Sequence, residues 1–447
     1  MSRLQIDTSY RQIVTIALPI SFALLVPQFN FIINNVFLGH LSEQALATAS
    51  ITGVYYLIFA GIGFGLNNGM QALISRRAGE NRPEEIGKIF NHGVIISLFI
   101  AAAGIFITYS IAPFILKQTI HETDIYQKAV SFLQIRIWGL PFLYVYQLRN
   151  ALLVGINQSK YLVTGTIAEA VSNIFFDYVL IFGKWGFPEV GFNGAAIASI
   201  ISEFMGMFVI FLVIHQKGIS NQFALFKRIP WDKNTIKSIL NLSGPLIFQH
   251  AISIISWWFF FILIERNVGR TGLAVSNTMR NIFGFFGIFV WAFGSATNSM
   301  VSNIIGQGKS EQVVPLIYKI ISLSTSLTIV ICSLLNFFPH WILSIYGQGS
   351  DFMQAAIPVL RVVSLAMVLM SLSTVWLNAV IGSGNSRVTF IIECVTIVLY
   401  SIYVFFVLER LQLNLVWGWV SEWLYWMVML SLSFLYIRSG KWKRKVI

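Results

Sequence analysis

Residues 155–160 read GINQSK, and residues 382–387 read GSGNSR. Each is a glycine, a short polar turn, a serine and a basic residue, and each closes a long apolar run. Working outward, other landmarks recur in the same order. Gly65 is followed by Gly79 in RRAGENRPEE, and Gly294 is followed at the same separation by Gly308 in IIGQGKSEQ. The interval from Gly79 to Gly155 nearly equals the interval from Gly308 to Gly382. Pro19 and Pro245 open the corresponding first runs, and SEF at 202–204 is echoed by SEW at 421–423. Matching order and spacing predict two copies of one unit, as in many secondary transporters.

The unit is helical and membrane-spanning. Of 447 residues, 56% are hydrophobic and 11% charged, against about 25% charged in soluble domains. Apolar runs long enough to cross a bilayer fall near 12–38, 45–75, 91–116, 127–154, 161–182, 191–214, 237–264, 273–304, 315–337, 353–381, 388–408 and 412–437. The predicted fold is an all-α polytopic membrane protein of twelve transmembrane helices in two six-helix lobes. An even number of spans inserts both copies the same way up, so their pseudo-two-fold axis runs along the membrane normal, with a cavity between the lobes. The N-lobe is placed at 1–216, a polar cytoplasmic linker at 217–236 and the C-lobe at 237–447.

The net charge of +12 is a topology signal rather than a nucleic-acid patch. With the N-terminus on the cytoplasmic side, 20 Lys and Arg fall on that side, six on the other and four within spans. This asymmetry obeys the positive-inside rule and puts both termini in the cytoplasm of a multi-pass protein of the cytoplasmic (inner) membrane. The first apolar run reads as an anchor, not a cleaved leader. Cys332 and Cys394 offer neither a disulfide framework nor a metal spacing, so no cofactor or metal is expected.

Several stretches together resemble the multidrug and toxic compound extrusion (MATE) family: FLGHLSEQALATASI at 37–51, RRAGENRPEE, GINQSK, and above all NIFFDYVLIFGKWGFPEVGFNGAAIAS at 173–199. The resemblance covers nearly the whole chain. It implies a V-shaped pair of lobes that export small organic compounds, often cationic and aromatic, by antiport against protons or sodium. It also implies that Asn173 and Asp177 belong to a polar N-lobe cavity.

The residues point the same way. Glu169, Asn173 and Asp177 lie at i, i+4 and i+8 of span 5 and form one polar stripe roughly 12 Å long. Ionised groups facing lipid cost about 2.5–3.5 kcal/mol each, so the stripe must face a polar interior. A carboxyl that is neutral when dry and ionised when wet can carry a proton. The alternative is a structural hydrogen-bond cluster pinning span 5. Where many members of the family carry Asp in span 1, this chain has Asn34, which cannot exchange a proton. Proton coupling must then rest on Asp177, Glu169 or Glu203. Spans 7 and 10 lack the acids that serve cation coupling in some relatives, which makes protons the expected coupling ion over sodium.

Further candidates for the substrate cavity are Glu203, His250, the Trp257–Trp258 pair and Asn378. A lone His in an apolar helix is more often a packed structural residue, and tryptophans in so aromatic a chain usually pack or sit at the interface. Glu203 and Glu422 repeat between lobes, Glu393 stands alone in span 11, and Arg280 is expected to pair with Glu265. Membrane lipids and a small organic substrate are the expected partners of a monomer.

No enzyme constellation, Walker loop or dinucleotide fingerprint is present. The rival readings are a related lipid-linked oligosaccharide flippase, which needs a strongly basic cavity, and an intramembrane transferase.

Overall fold

A chain this apolar has to satisfy its backbone within helices, because the bilayer core offers no water to an open N–H or C=O. The computed structural model describes residues 4–120, 122–227, 230–346 and 349–445. Arg3 and Arg228, two of the basic residues counted above, lie outside them. The N-terminal half holds α1 (Tyr10–Leu41), α2 (Glu43–Gly79), α3 (Pro83–Thr119), α4 (Thr123–Gly155), α5 (Leu162–Phe182) and α6 (Phe192–Gln216). Local chemistry sets the ends. Ser9 and Ser42 cap α1 and α2 by accepting from the Gln12 and Ala45 amides, at 3.2 and 3.0 Å. Pro83 opens α3 with Glu84 and Glu85 in its first turn, and Gly183 ends α5 at φ 62°.

Eleven helices among the described residues are long and apolar enough to cross a membrane, and one of them, Lys233–Gly306, has 74 residues. At 1.5 Å per residue it would reach about 110 Å, several times the ~30 Å core. It is broken at Gly269, at φ 78° and ψ −163°. Ser243 bonds the Leu66 carbonyl of α2, while Asn298 bonds Asn68 and Ser302 bonds Ala72. Both ends of the element therefore lie against the same stretch of α2, so it is two antiparallel spans, α7 (233–268) and α8 (270–306). With α9 (Val313–Phe337), α10 (Ser350–Gly382), α11 (Ser386–Val404) and α12 (Leu415–Arg438) the count is twelve.

The break also removes the expected ion pair of Arg280 with Glu265. The two residues stand four before and eleven after Gly269, so they differ in depth by roughly 10 Å. Arg280 instead lies 5.3 Å from the Phe261 ring centre, and no ion pair joins it to Glu265 among the described residues.

The duplication is visible in the backbone. After α2, the Asn81 and Arg82 amides donate to Ala78 and Arg77; after α8, Gly308 and Lys309 donate to Ile305 and Ile304. After α4, Asn157 and Gln158 donate to Val154 and Leu153; after α10, Gly384 and Asn385 donate to Ile381 and Val380. The turn residues, Asn81 and Gly308, then Asn157 and Gly384, all have positive φ, and the offset between the copies is the same for both pairs. This register pairs Gly79 with Gly306 rather than with Gly308, and it leaves SEF and SEW out of register.

Gly79 and Gly306 meet where α2 crosses α8. A Cβ on Gly306 would stand 3.1 Å from the Gly79 Cα, and one on Gly79 would run into the Asn303 carbonyl. The hydrogen bonds joining the lobes cluster at this end: Gln71 with Ser295, Ser75 with Ser299 at 2.7 Å, and Arg76 with the Gly382 carbonyl. The segment before α1 straps both lobes there. Leu4 and Ile6 are buried, Asn303 and Gln307 bond their carbonyls at 2.9 and 2.8 Å, and Gln5 reaches the Gly79 carbonyl at 2.9 Å. Residues between the lobes are held as well. Phe223 is buried, Phe226 N–H donates to Asn91, and Asp232 caps α7 while pairing with Lys88 at 2.5 Å.

Gly306→Leu should lower stability by about 1–3 kcal/mol, the usual cost of an overpacked contact. Gly53→Leu, whose Cβ meets nothing within 4 Å, should not. Thermal unfolding of the two purified variants checks this, and equal midpoints would mean the crossing is not closed.

Candidate functional site

Helix α4 breaks where Pro141 removes an amide hydrogen: its first part ends at Arg136, a 3₁₀ turn covers Ile137–Gly139, and a second part runs from Leu140. The break holds Arg136 inside the N-lobe, where its guanidinium meets Glu203 of α6 in a fork, Nη2 at 2.5 Å from Oε1 and Nη1 at 2.9 Å from Oε2. Tyr56 of α2 donates to Oε1 at 3.1 Å, and its ring centre lies 3.7 Å from the guanidinium carbon. Gly139 is required here, since a Cβ would overlap both the carboxylate and the guanidinium. With 12% and 4% of their side chains exposed, Arg136 and Glu203 form a fully partnered buried ion pair.

The predicted stripe of α5 stands beside this pair. Asn30 and Asn34 of α1, Glu169 and Asn173 of α5, and Arg136, Ser199, Ser202 and Glu203 line a polar cavity of about 180 Å³. That is roomy enough for water, and the polar lining supplies hydrogen-bond partners for it. Glu169 packs its Cβ over Gly206 of α6. Asp177 continues the stripe one turn beyond Asn173, is 1% exposed, and has no hydrogen-bond partner for either carboxylate oxygen among the described residues. Asn30 Oδ1, Asn34 Oδ1 and Asn173 Nδ2 are likewise buried and unpartnered. Buried polar atoms are paired in the great majority of cases, so this concentration around one cavity marks a place for exchangeable hydrogen-bond partners.

The structure thus brings together Asn34, Glu169, Asn173 and Glu203, with Asp177 next to them on the same helix. The remaining candidates lie in the other half. His250 of α7 faces Phe64 of α2 across the lobes, with ring centres 6.5 Å apart. Trp258 is 68% exposed. Trp257 packs among Phe261, Phe283 and Trp419 in the C-lobe core, and Asn378 bonds the Thr374 carbonyl beneath Gly294. Glu422 does not mirror Glu203: its carboxylate accepts from the Trp426 indole at 3.0 Å and has no ion-pair partner among the described residues. Sequence reading missed Arg136 and Tyr56 as members of the site. The signal was there, because a guanidinium within a span requires an acid at its own depth.

Arg136→Leu should cost about 3–5 kcal/mol by leaving Glu203 buried without its cation, and Arg136→Leu combined with Glu203→Leu should recover much of that. Unfolding midpoints of both single variants and of the double variant decide it; a double loss equal to the sum of the single losses would mean the two side chains are not coupled.

The MatE family model matches residues 19–179 and again 245–407, one match in each half of the chain. The probable multidrug resistance protein NorM of Thermotoga maritima is 22% identical over 447 aligned residues, covering 98% of this chain and 94% of that protein. The protein of the same name from a Synechocystis species is 27% identical over 252 residues, 55% of this chain and 53% of that one. Among solved structures, an outward-facing MATE transporter superposes with a TM-score of 0.90 at 18% identity, covering 99% of this chain and 98% of that one. A transporter of the MOP superfamily from Pyrococcus furiosus, whose binding pocket is described as reversed in polarity, gives 0.89 at 16% over the same shares. The two family matches fall on the two copies that the paired turns define, and the chain belongs to the MatE family of membrane transporters.

Proposed function

We propose that the protein is a proton-coupled antiporter that exports small organic, often cationic and aromatic, compounds by alternating access. The observation that carries the reading is Asp177, buried in the membrane with both oxygens unpartnered beside a polar cavity. An unpaired carboxylate is costly in such a place, whereas a carboxylic acid is tolerated. Asp177 therefore holds a proton in the conformation described and releases it once water or a cation reaches the stripe. Asn173 and Glu169 lead from Asp177 to the cavity, and Asn34 supplies a hydrogen-bonding amide in place of a second exchanging acid. The names of the NorM relatives support multidrug substrates.

The lobes meet at the end that carries the basic segments 76–88 and 438–445. By the positive-inside rule that end is cytoplasmic, so both termini lie in the cytoplasm and the cleft opens away from it. The sidedness agrees with residence in a cytoplasmic membrane. His250 and the exposed Trp258 on α7 are proposed to line the substrate path, and the protein to work as a monomer in lipid without a cofactor. Protons rather than sodium fit Asp177, the buried acid whose oxygens have no partner among the described residues, since sodium calls for several oxygen ligands around one point.

Efflux from purified-protein vesicles, with proton and sodium gradients imposed separately on a cationic dye, tests the reading. Proton-driven efflux is expected, with sodium without effect. Asp177→Asn should abolish gradient-driven efflux while leaving the protein folded, and normal efflux would remove Asp177 from the mechanism. Asn34→Asp should be tolerated and should shift the pH dependence of transport.

A further inference from the structure

Glu393 of α11 is 1% exposed, yet it is not free of polar company. Gln249 of α7 donates to Oε2 at 3.1 Å, Ser253 of α7 lies 2.6 Å from Oε1, and the Tyr425 hydroxyl of α12 donates to Oε1. Three helices of the C-lobe thus converge on one carboxyl. No ion pair reaches it among the described residues, in contrast to Glu203, which has Arg136. Among the described residues, the other titratable groups near it are Tyr425 and, through it, Glu422 on α12 and Tyr400 on α11, with Cys394 beside it in sequence and His250 beside Gln249 on α7. None of them is a fixed cation.

The hydrogen count at Ser253 gives the site its character. Its hydroxyl has one proton but two acceptors, Glu393 Oε1 at 2.6 Å and the Gln249 carbonyl at 2.9 Å. When Glu393 is ionised, the hydroxyl points at Oε1 and the carboxylate receives three donors. When Glu393 is protonated, the carboxyl donates to Ser253 Oγ, and the hydroxyl turns to the Gln249 carbonyl. No heavy atom has to move, and no buried polar atom is stranded in either state. Gln249 and Ser253 are themselves partly exposed, whereas Glu393 is buried.

We propose that Glu393 is a second proton-binding site, in the C-lobe, loaded and emptied through Ser253. The proposal rests on the reading of the protein as a proton-coupled transporter. A proton from water binds Ser253 Oγ, and the hydroxyl's own proton passes to Glu393 Oε1, so that one O–H bond breaks as another forms. Release runs the same steps backwards. The site is coupled to movement because α7 carries two of its donors and also packs against α2 of the opposite lobe, Gly65 against Ile247 and Gly61 against His250. Charge-assisted hydrogen bonds are stronger than neutral ones, so protonation loosens the hold of α11 and α12 on α7.

The test is pH-jump infrared difference spectroscopy of the full chain in lipid. One protonated-carboxyl band should be lost in Glu393→Gln and a different one in Asp177→Asn. Ser253→Ala should slow hydrogen–deuterium exchange of the Glu393 band, and Tyr425→Phe should shift its frequency. A spectrum in which Glu393→Gln removes no titrating band overturns the proposal. Should Glu393→Gln fail to fold, an unchanged spectrum in both Ser253→Ala and Tyr425→Phe overturns it equally. The same vesicles report dye efflux: a Glu393 band with no proton-driven transport retires the coupling reading and keeps the site, while transport without the band does the reverse.

Discussion

The close crossing of α2 and α8 is the constraint on which the rest of the molecule depends. Two glycines in equivalent places of the two copies let the backbones touch, and that contact fixes where the lobes are joined. The close approach continues from α2 to α7, where a Cβ on Gly65 would run into Ile247 and one on Gly69 into Ser243. The strap before α1 and the hydrogen bonds of Asn298, Ser302 and Asn303 reinforce the same end. The polar contacts of that seam are individually modest, about 0.5–1.5 kcal/mol each.

Away from the seam, the two lobes treat buried charge differently. The N-lobe encloses a guanidinium and matches it with Glu203 and Tyr56, so that this pair neutralises itself. The C-lobe encloses Glu393 and Glu422 without an ion-pair partner among the described residues and surrounds them with hydroxyl, amide and indole donors. Donors without charge stabilise a carboxylate less than a cation does, and they serve the neutral acid nearly as well. Duplication of the backbone has therefore not been accompanied by duplication of the chemistry.

Much of this was legible in the chain. The apolar runs, the Gly-turn-Ser-basic signals at 155–160 and 382–387 and the stripe of Glu169, Asn173 and Asp177 follow from short-range rules of hydropathy, turn chemistry and helical period. The register of the repeat was off by two at Gly308, since the turn needs a positive-φ residue and Asn81 fills that position as well as glycine does. Partners across helices were not legible. Arg136 with Glu203 spans 67 residues, and Gln249 with Glu393 spans 144. The Arg280–Glu265 pairing failed for a related reason: sequence distance said nothing of the depth offset that the break at Gly269 imposes.

The amide at position 34 acquires a physical meaning in this setting. With Arg136 committed to Glu203, the N-lobe interior retains Glu169 and Asp177 as acids without a paired cation. A carboxyl at 34 would join Glu169 and Glu203 as a third acid on the wall of a cavity of about 180 Å³, and a like charge nearby disfavours ionisation. Asn34 keeps the hydrogen-bonding surface of the cavity and removes that repulsion. What it forgoes is one acid in the N-lobe, while the C-lobe buries Glu393 among uncharged donors. Each lobe thus buries a carboxyl that has no ion-pair partner among the described residues, Asp177 on α5 and Glu393 on α11, and each of these helices packs against one that borders the opposite lobe.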